Sequence, residues 1–179
     1  MKRYTTILAD PPWAMHQQGK WGASAHYPVM SLDAIKALPV KRLATDNAHL
    51  WMWATNSGLD QQMSVIEAWG FTYRAALTWI KPYFRLGNYL RHQTEHLLFC
   101  TRGNLPIQFK SQGTWFYAPL QEHSHKPEEQ FAIIERCSPG PYVELFARRP
   151  QPGWESWGNE IDGRDIRLVL NSEPEAEAA

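Results

Sequence analysis

Cysteine is scarce in this chain of 179 residues: Cys100 and Cys137 are the only two, and they fit no C-x-x-C spacing. They read as buried free thiols in a reducing compartment. Net charge is missing too. Eighteen Lys and Arg balance eighteen Asp and Glu, which excludes a strongly basic nucleic-acid binder over the whole chain but allows a local patch. No uninterrupted apolar stretch approaches the ~20 residues needed to span a bilayer. Met1-Lys2-Arg3 leads straight into a strand pattern, without the features of a secretory signal. The expectation is a cytoplasmic chain with no membrane partner.

Tryptophan is abundant, at nine residues, and large aromatics serve recognition as well as packing. The length suits one domain over residues 1–170, with an acidic, Ala-rich, solvated tail at 171–179. Strand signals fall at residues 4–9, 49–55, 71–80, 96–101 and 142–147, and weaker ones near Phe109 and over 115–117. Ser31 is placed to cap a short helix over 32–38 that Pro39 closes. Ser57 is placed to cap one running to Trp69 and stopped by Gly70. Pro127 opens a third that ends near Cys137. Residues 14–30 and 81–91 read as loops, the first long enough for a lid or binding loop. Strands alternating with helices predict an α/β fold with a largely parallel sheet, which binds ligands at the carboxyl ends of its strands.

Asp10-Pro11-Pro12-Trp13 sits hard against the end of the first strand. Pro cannot extend a ladder, so the chain must turn there. The turn offers a carboxylate, carbonyls and a flat ring, the groups needed to grip a planar base with an exocyclic amine. The alternative is a strand-ending turn whose Trp fills the core. His92-Gln93-Thr94-Glu95-His96 spells H-x-x-E-H, but a zinc site of that kind needs a helix. Here the second His opens a strand, so no metal site is assigned. Between residues 81 and 110, Lys81, Arg85, Arg91, Arg102 and Lys110 face one acid, Glu95. With Tyr83, Phe84 and Tyr89 among them, they suit either a phosphate-binding surface or a solvated loop.

In order along the chain come Asp10-Pro11-Pro12-Trp13, Tyr27-Pro28, Trp79-Ile80-Lys81, Glu95-His96, Ser124-His125-Lys126-Pro127, Ile134-Glu135-Arg136, Ser138-Pro139-Gly140, Glu144-Leu145-Phe146-Ala147-Arg148 and Gly158-Asn159-Glu160. This ordered set resembles the MT-A70 family of adenine N6-methyltransferases, in its prokaryotic or phage form, over about residues 7–163. The resemblance implies a Rossmann-like fold using S-adenosylmethionine, permuted so that the catalytic turn precedes the cofactor-binding elements. It implies a catalytic turn of Asp10, Pro11, Pro12 and Trp13, with Asp10 and the Pro11 carbonyl on the adenine amine and Trp13 stacking on or walling the base.

Cofactor contacts are implied for Ser124, Lys126, Phe146, Arg148, Gln151, Asn159 and Glu160. Substrate contacts are implied for Tyr27, Lys81, Arg91, His92 and Glu95. Three features depart from the messenger-RNA enzymes of the family. Glu160 replaces a Gln, Arg149-Pro150-Gln151 replaces Pro-His-Asn, and an upstream acidic strand end has no counterpart. The implied partner is nucleic acid, DNA ahead of RNA, with a homodimer or partner subunit left open. A non-catalytic nucleic-acid-binding subunit, or a methyltransferase for another planar amine, stands as the alternative.

Overall fold

The computed structural model describes residues 2–14, 29–85, 87, 89–121, 125–161 and 166. Tyr27, Ser124, most of the segment between Ala14 and Met30, and the acidic stretch 171–179 lie outside the described residues.

Strand β1 (Tyr4–Ala9) is followed, past the Pro-Pro turn, by helices α1 (Leu32–Lys36) and α2 (Val40–Leu43). Ser31 caps α1 as its position predicts, its side chain accepting the Ala34 N–H. That helix ends at Lys36, two residues short of the predicted Leu38, with Ala37 as its C-cap, and Pro39 takes the cap position of the next. Strand β2 (Ala44–Ala54) begins earlier than its apolar run suggests. A 3-10 turn (Asn56–Gly58) then leads into α3 (Leu59–Ala68). Ser57 lies within that turn and Gly58 takes the cap position, so the predicted serine cap is not formed. Gly70 stops the helix in the left-handed conformation its lack of a side chain permits (φ +79°).

β3 (Thr72–Arg85) and β4 (His92–Arg102) are longer than predicted. Residues 81–85 of the expected loop therefore extend β3 into a two-stranded arm with β4, joined again at Arg85 opposite His92 after a register irregularity. Pro82 lies in that irregular stretch, where its missing N–H breaks no regular ladder bond. β5 (Trp115–Tyr117), α4 (Glu129–Cys137), β6 (Tyr142–Leu145) and β7 (Trp154–Trp157) complete the order. No strand forms at Phe109; the Gln108 N–H instead donates to the Cys137 carbonyl at the end of α4. β7 was not predicted, because four residues behind Pro150, Pro152 and Gly153 carry too short a pattern.

The sheet runs β5-β3-β4-β2-β1-β6-β7. Among the described residues only β4 opposes the common strand direction. Alternating side chains build two cores. Ile7, Leu50, Met52 and Leu98 pack with Ile35, Val65, Ile66 and Trp69 of α1 and α3. Leu8, Trp51, Trp53, Trp79 and Leu97 pack with Phe131, Ile134 and Cys137 of α4. The result is a three-layer, Rossmann-like α/β fold, with both cysteines buried and free as expected. No helix among the described residues is long and apolar enough to cross a membrane.

Candidate active site

One sheet direction brings the ends of β1, β2, β3, β6 and β7 and the start of β4 to a single edge. Asp10 follows β1 there, its N–H 3.4 Å from the Leu145 carbonyl of neighbouring β6. The prolines then shape the turn. The Pro11 carbonyl accepts the Trp13 N–H (2.9 Å) and the Pro12 carbonyl accepts that of Met30 (2.8 Å). Neither carbonyl is idle, which revises the expectation of two open acceptors. Pro12 ties the turn to Met30, and Pro11 retains one lone pair. Trp13 is 8% exposed, within the α1–α3 core, and its indole donates to the Trp53 carbonyl (3.3 Å). Its ring serves the scaffold at that point, as the core-filling alternative anticipated.

Lys126, just ahead of α4, reaches the catalytic turn. Its ammonium donates to Asp10 Oδ2 at 2.7 Å, lies 3.6 Å from Glu95 Oε2 and sits 5.4 Å from the Trp53 ring centroid. Glu95 Oε1 accepts from Lys81 at 2.5 Å, and Lys81 lies 4.8 Å from the Trp79 centroid. Charges thus alternate along Asp10, Lys126, Glu95 and Lys81, over two tryptophans held edge to face at 6.1 Å. Gln130 of α4 fixes Trp53 through its indole N–H (2.7 Å), and the Ala118 carbonyl fixes Trp79 (3.0 Å). Burial pushes the Glu95 carboxyl upward, but Lys126 and Lys81 together outweigh it and hold it below the ordinary carboxylate value.

Beside this chain of charges opens a cleft lined by Asp10, Lys126, Gln130, Glu144, Phe146 and Arg148 among others. Glu144 is the neighbour of Leu145 on β6 and so faces the α4 side. Burial pushes its carboxyl up to about 8, with the Asp10 charge adding to the rise and Lys126 opposing it. Phe146 leaves the strand at φ +65°, an uncommon conformation for a bulky residue and a mark of functional sites. Arg148 lies 3.7 Å from Glu160, so these two implied contacts do meet. They meet because Gly158 fits flush against Ala147: a Cβ there would come within 2.0 Å of the Ala147 oxygen. Asn159 and Glu160 are exposed beside Arg148. Gln151 lies on the return to β7, its N–H near Ser156 Oγ, and is not among the cleft-lining residues.

The predicted cationic surface divides. Lys81 is buried and paired. Arg102 sits at the far end of β4, opposite Ala48, and donates to the Lys41 carbonyl. Arg85 and Arg91 remain exposed on the arm, with Tyr83, Phe84 and Tyr89 73%, 66% and 99% exposed around them. His92 and His96 both lie on β4, roughly 13 Å apart along an extended strand, which is the geometry the strand reading required. Glu144, Gln130, Trp53 and Trp79 received no role from the sequence. A signal existed for Trp79, two residues before Lys81 in a strand and therefore on its face.

The sequence profile of the MT-A70 family matches residues 4–160. The N(6)-adenosine-methyltransferase MT-A70-like protein of Drosophila melanogaster is 33% identical over 180 residues, covering 93% of this chain and 28% of that protein. Human N(6)-adenosine-methyltransferase catalytic subunit METTL3 is 31% identical over 175 residues, covering 90% of this chain and 29% of METTL3. The type II methyltransferase M.MunI of Mycoplasma sp is 28% identical over 195 residues, covering 96% of this chain and 84% of M.MunI. This chain spans less than a third of the length of the adenosine methyltransferases, but most of M.MunI.

Proposed function

The chain belongs to the MT-A70 family, and on that premise we propose that it is an S-adenosylmethionine-dependent methyltransferase acting on N6 of adenine in nucleic acid, with DNA favoured over RNA. The observation that carries the reading is Asp10, held at the mouth of a polar cleft by the Lys126 ammonium on Oδ2, with Oδ1 given no hydrogen bond among the described residues. The match to most of a compact type II methyltransferase supports the preference for DNA.

An aromatic amine is a poor nucleophile because its lone pair is delocalised into the ring. Asp10 Oδ1 and the second lone pair of the Pro11 carbonyl would accept the two amine hydrogens, favouring a pyramidal nitrogen with its lone pair directed at the methyl donor. Lys126 fixes the carboxylate for that task, and orientation of this kind supplies much of a transfer rate. The cleft suits the cofactor chemically: Arg148 for a carboxylate or ribose hydroxyls, Phe146 for a flat base, and Asp10 for positive charge. Bound there, S-adenosylmethionine supplies an electrophilic methyl group on a sulfonium. Asn159 and Glu160 would reach the ribose from the end of β7. Arg85 and Arg91, with the exposed rings of Tyr83, Phe84 and Tyr89, would take phosphates and unpaired bases.

The test is methyl transfer from labelled S-adenosylmethionine to matched single-stranded DNA, duplex DNA and RNA, with products digested to nucleosides for mass spectrometry. N6-methyladenine that disappears in Asp10→Ala, while calorimetry finds the cofactor still bound, is the expected result. Labelling that persists in Asp10→Ala, or appears on another base, sinks the assignment.

A further inference from the structure

Lys81 is the buried cation that this chemistry leaves without a task. A lysine serving a polyanion keeps its ammonium in water and buries only its stem. Here the side chain is 10% exposed, and its ammonium is turned inward to Glu95 at 2.5 Å and to the Trp79 ring at 4.8 Å. Glu95 presents its other oxygen to Lys126 at 3.6 Å, while Lys126 stands 2.7 Å from Asp10. Two carboxylates thus compete for Lys126, and the nearer one is Asp10. Coulombic attraction falls with the charge left on each competitor, and Lys81 has already neutralised Glu95.

We propose that Lys81 is a positioning residue: by neutralising Glu95 it leaves Lys126 on Asp10, and so fixes the carboxylate that grips the target amine. This deepens the methyltransferase reading and rests on it, and it replaces the direct substrate contact implied for Lys81. The same argument fixes a pH signature. Without Lys81, Glu95 keeps its burial and loses a cation, so its carboxyl titrates at higher pH. Where Glu95 is ionised it draws Lys126 away from Asp10; where it is protonated, Lys126 returns. Among the described residues, the other charged or titratable groups around it are Asp10 after β1, Lys126 before α4, His96 on β4 and Glu144 on β6. They are common to wild type and variant, so a ratio of rates cancels their own titration.

Transfer kinetics between pH 6 and 9 on wild type, Lys81→Met, Lys81→Arg and Lys81→Met/Glu95→Gln test this. Lys81→Met should lower kcat roughly ten- to a hundredfold with little change in KM for nucleic acid, and the deficit should narrow toward low pH. Lys81→Arg should recover most of the rate. The double variant should exceed Lys81→Met at least about fivefold, because no charge remains to divert Lys126. If KM for nucleic acid rises instead, independently of pH, and Glu95→Gln recovers nothing, the proposal is overturned.

Should Lys81→Met not fold, the double variant, which leaves no buried charge unpaired at that position, carries the comparison. A rate within about tenfold of wild type supports the proposal, and a loss as deep as that of Asp10→Ala overturns it. A second readout needs no turnover: a carbon-13 NMR titration of the Glu95 carboxyl in wild type and Lys81→Met. An upward move supports the coupling, and an unchanged titration overturns it. If wild type transfers no methyl group yet the Glu95 titration moves upward in Lys81→Met, the methyltransferase reading is refuted while the Lys81–Glu95 coupling is supported.

Discussion

Glu144 and Glu95 are both glutamates within reach of Lys126, and their environments drive them apart. Glu95 has two lysines, which outweigh its burial and hold its carboxyl low; Glu144 meets the Asp10 charge in a buried position and rises to about 8. The sign for stability follows from proton binding. An unfolded Glu144 releases its proton near 4.5 and the folded one near 8, so the folded state binds more protons between those values. Its contribution is full below about 4.5 and is lost as pH rises toward about 8. Glu144→Gln should therefore raise the Tm by at least about 3 °C more at pH 9 than at pH 5, read by thermal unfolding at the two pH values. An equal shift at both would mean that Glu144 titrates normally. Lys126→Met should lower kcat as well as weaken cofactor binding, because Asp10 loses its partner; a pure affinity loss would return Lys126 to a cofactor contact only.

At the scale of elements, the site depends on a few junctions rather than on any one motif. β6 and β7 deliver Phe146, Arg148, Asn159 and Glu160 to one place only because Gly158 lies flush on Ala147, whose N–H donates to the Trp157 carbonyl at 2.9 Å. The obstructing atom is backbone, so nothing can swing aside. Gly158→Ala should cost about 2 kcal/mol or more in chemical denaturation and weaken cofactor binding together with it. A fully stable variant would show that the two strands separate easily.

The elements that the pattern found, β1, α1, β2, α3, β3, β4, α4, β6 and, more weakly, β5, carry periodicity or stop signals. β7 was too short to register. The arm was read as a loop because Pro, Gly and Asn punctuate it. Cross-strand pairing at Arg85 and His92, which a single-chain pattern cannot show, extends both strands into it.

For the whole molecule, zero net charge makes nucleic-acid affinity a matter of local placement. Five cations between residues 81 and 110 suggest a broad patch, yet only Arg85 and Arg91 are placed together on the exposed arm, Lys81 and Arg102 being engaged elsewhere. Binding to a single strand should accordingly show a modest salt dependence. Arg85→Ala/Arg91→Ala should reduce the slope of log affinity against log salt by about 1.4, measured by fluorescence anisotropy across a salt series. No change in slope would place the phosphates on another surface. The exposed Trp115 and Tyr117 of edge strand β5 lie beside Thr78 and Ile80 of β3 and extend the aromatic surface away from the cleft.

What the sequence by itself determined is the type of fold, the DPPW turn at a strand end, and the place of Arg148 at the end of another strand. Periodicity, proline placement and an ordered set of motifs are local properties that survive without coordinates. Only the tertiary structure decided how those groups are used. The family resemblance implies a cofactor contact for Lys126, and the fold adds Asp10, Glu95 and Trp53, brought to it from three different strands or strand ends. Trp13 reads as a ring that stacks on or walls the base, and packing sets it 8% exposed against the core. The charge on Glu144 depends on how much water and which ions surround it, and neither burial nor Coulombic distance is written in the order of residues along a chain.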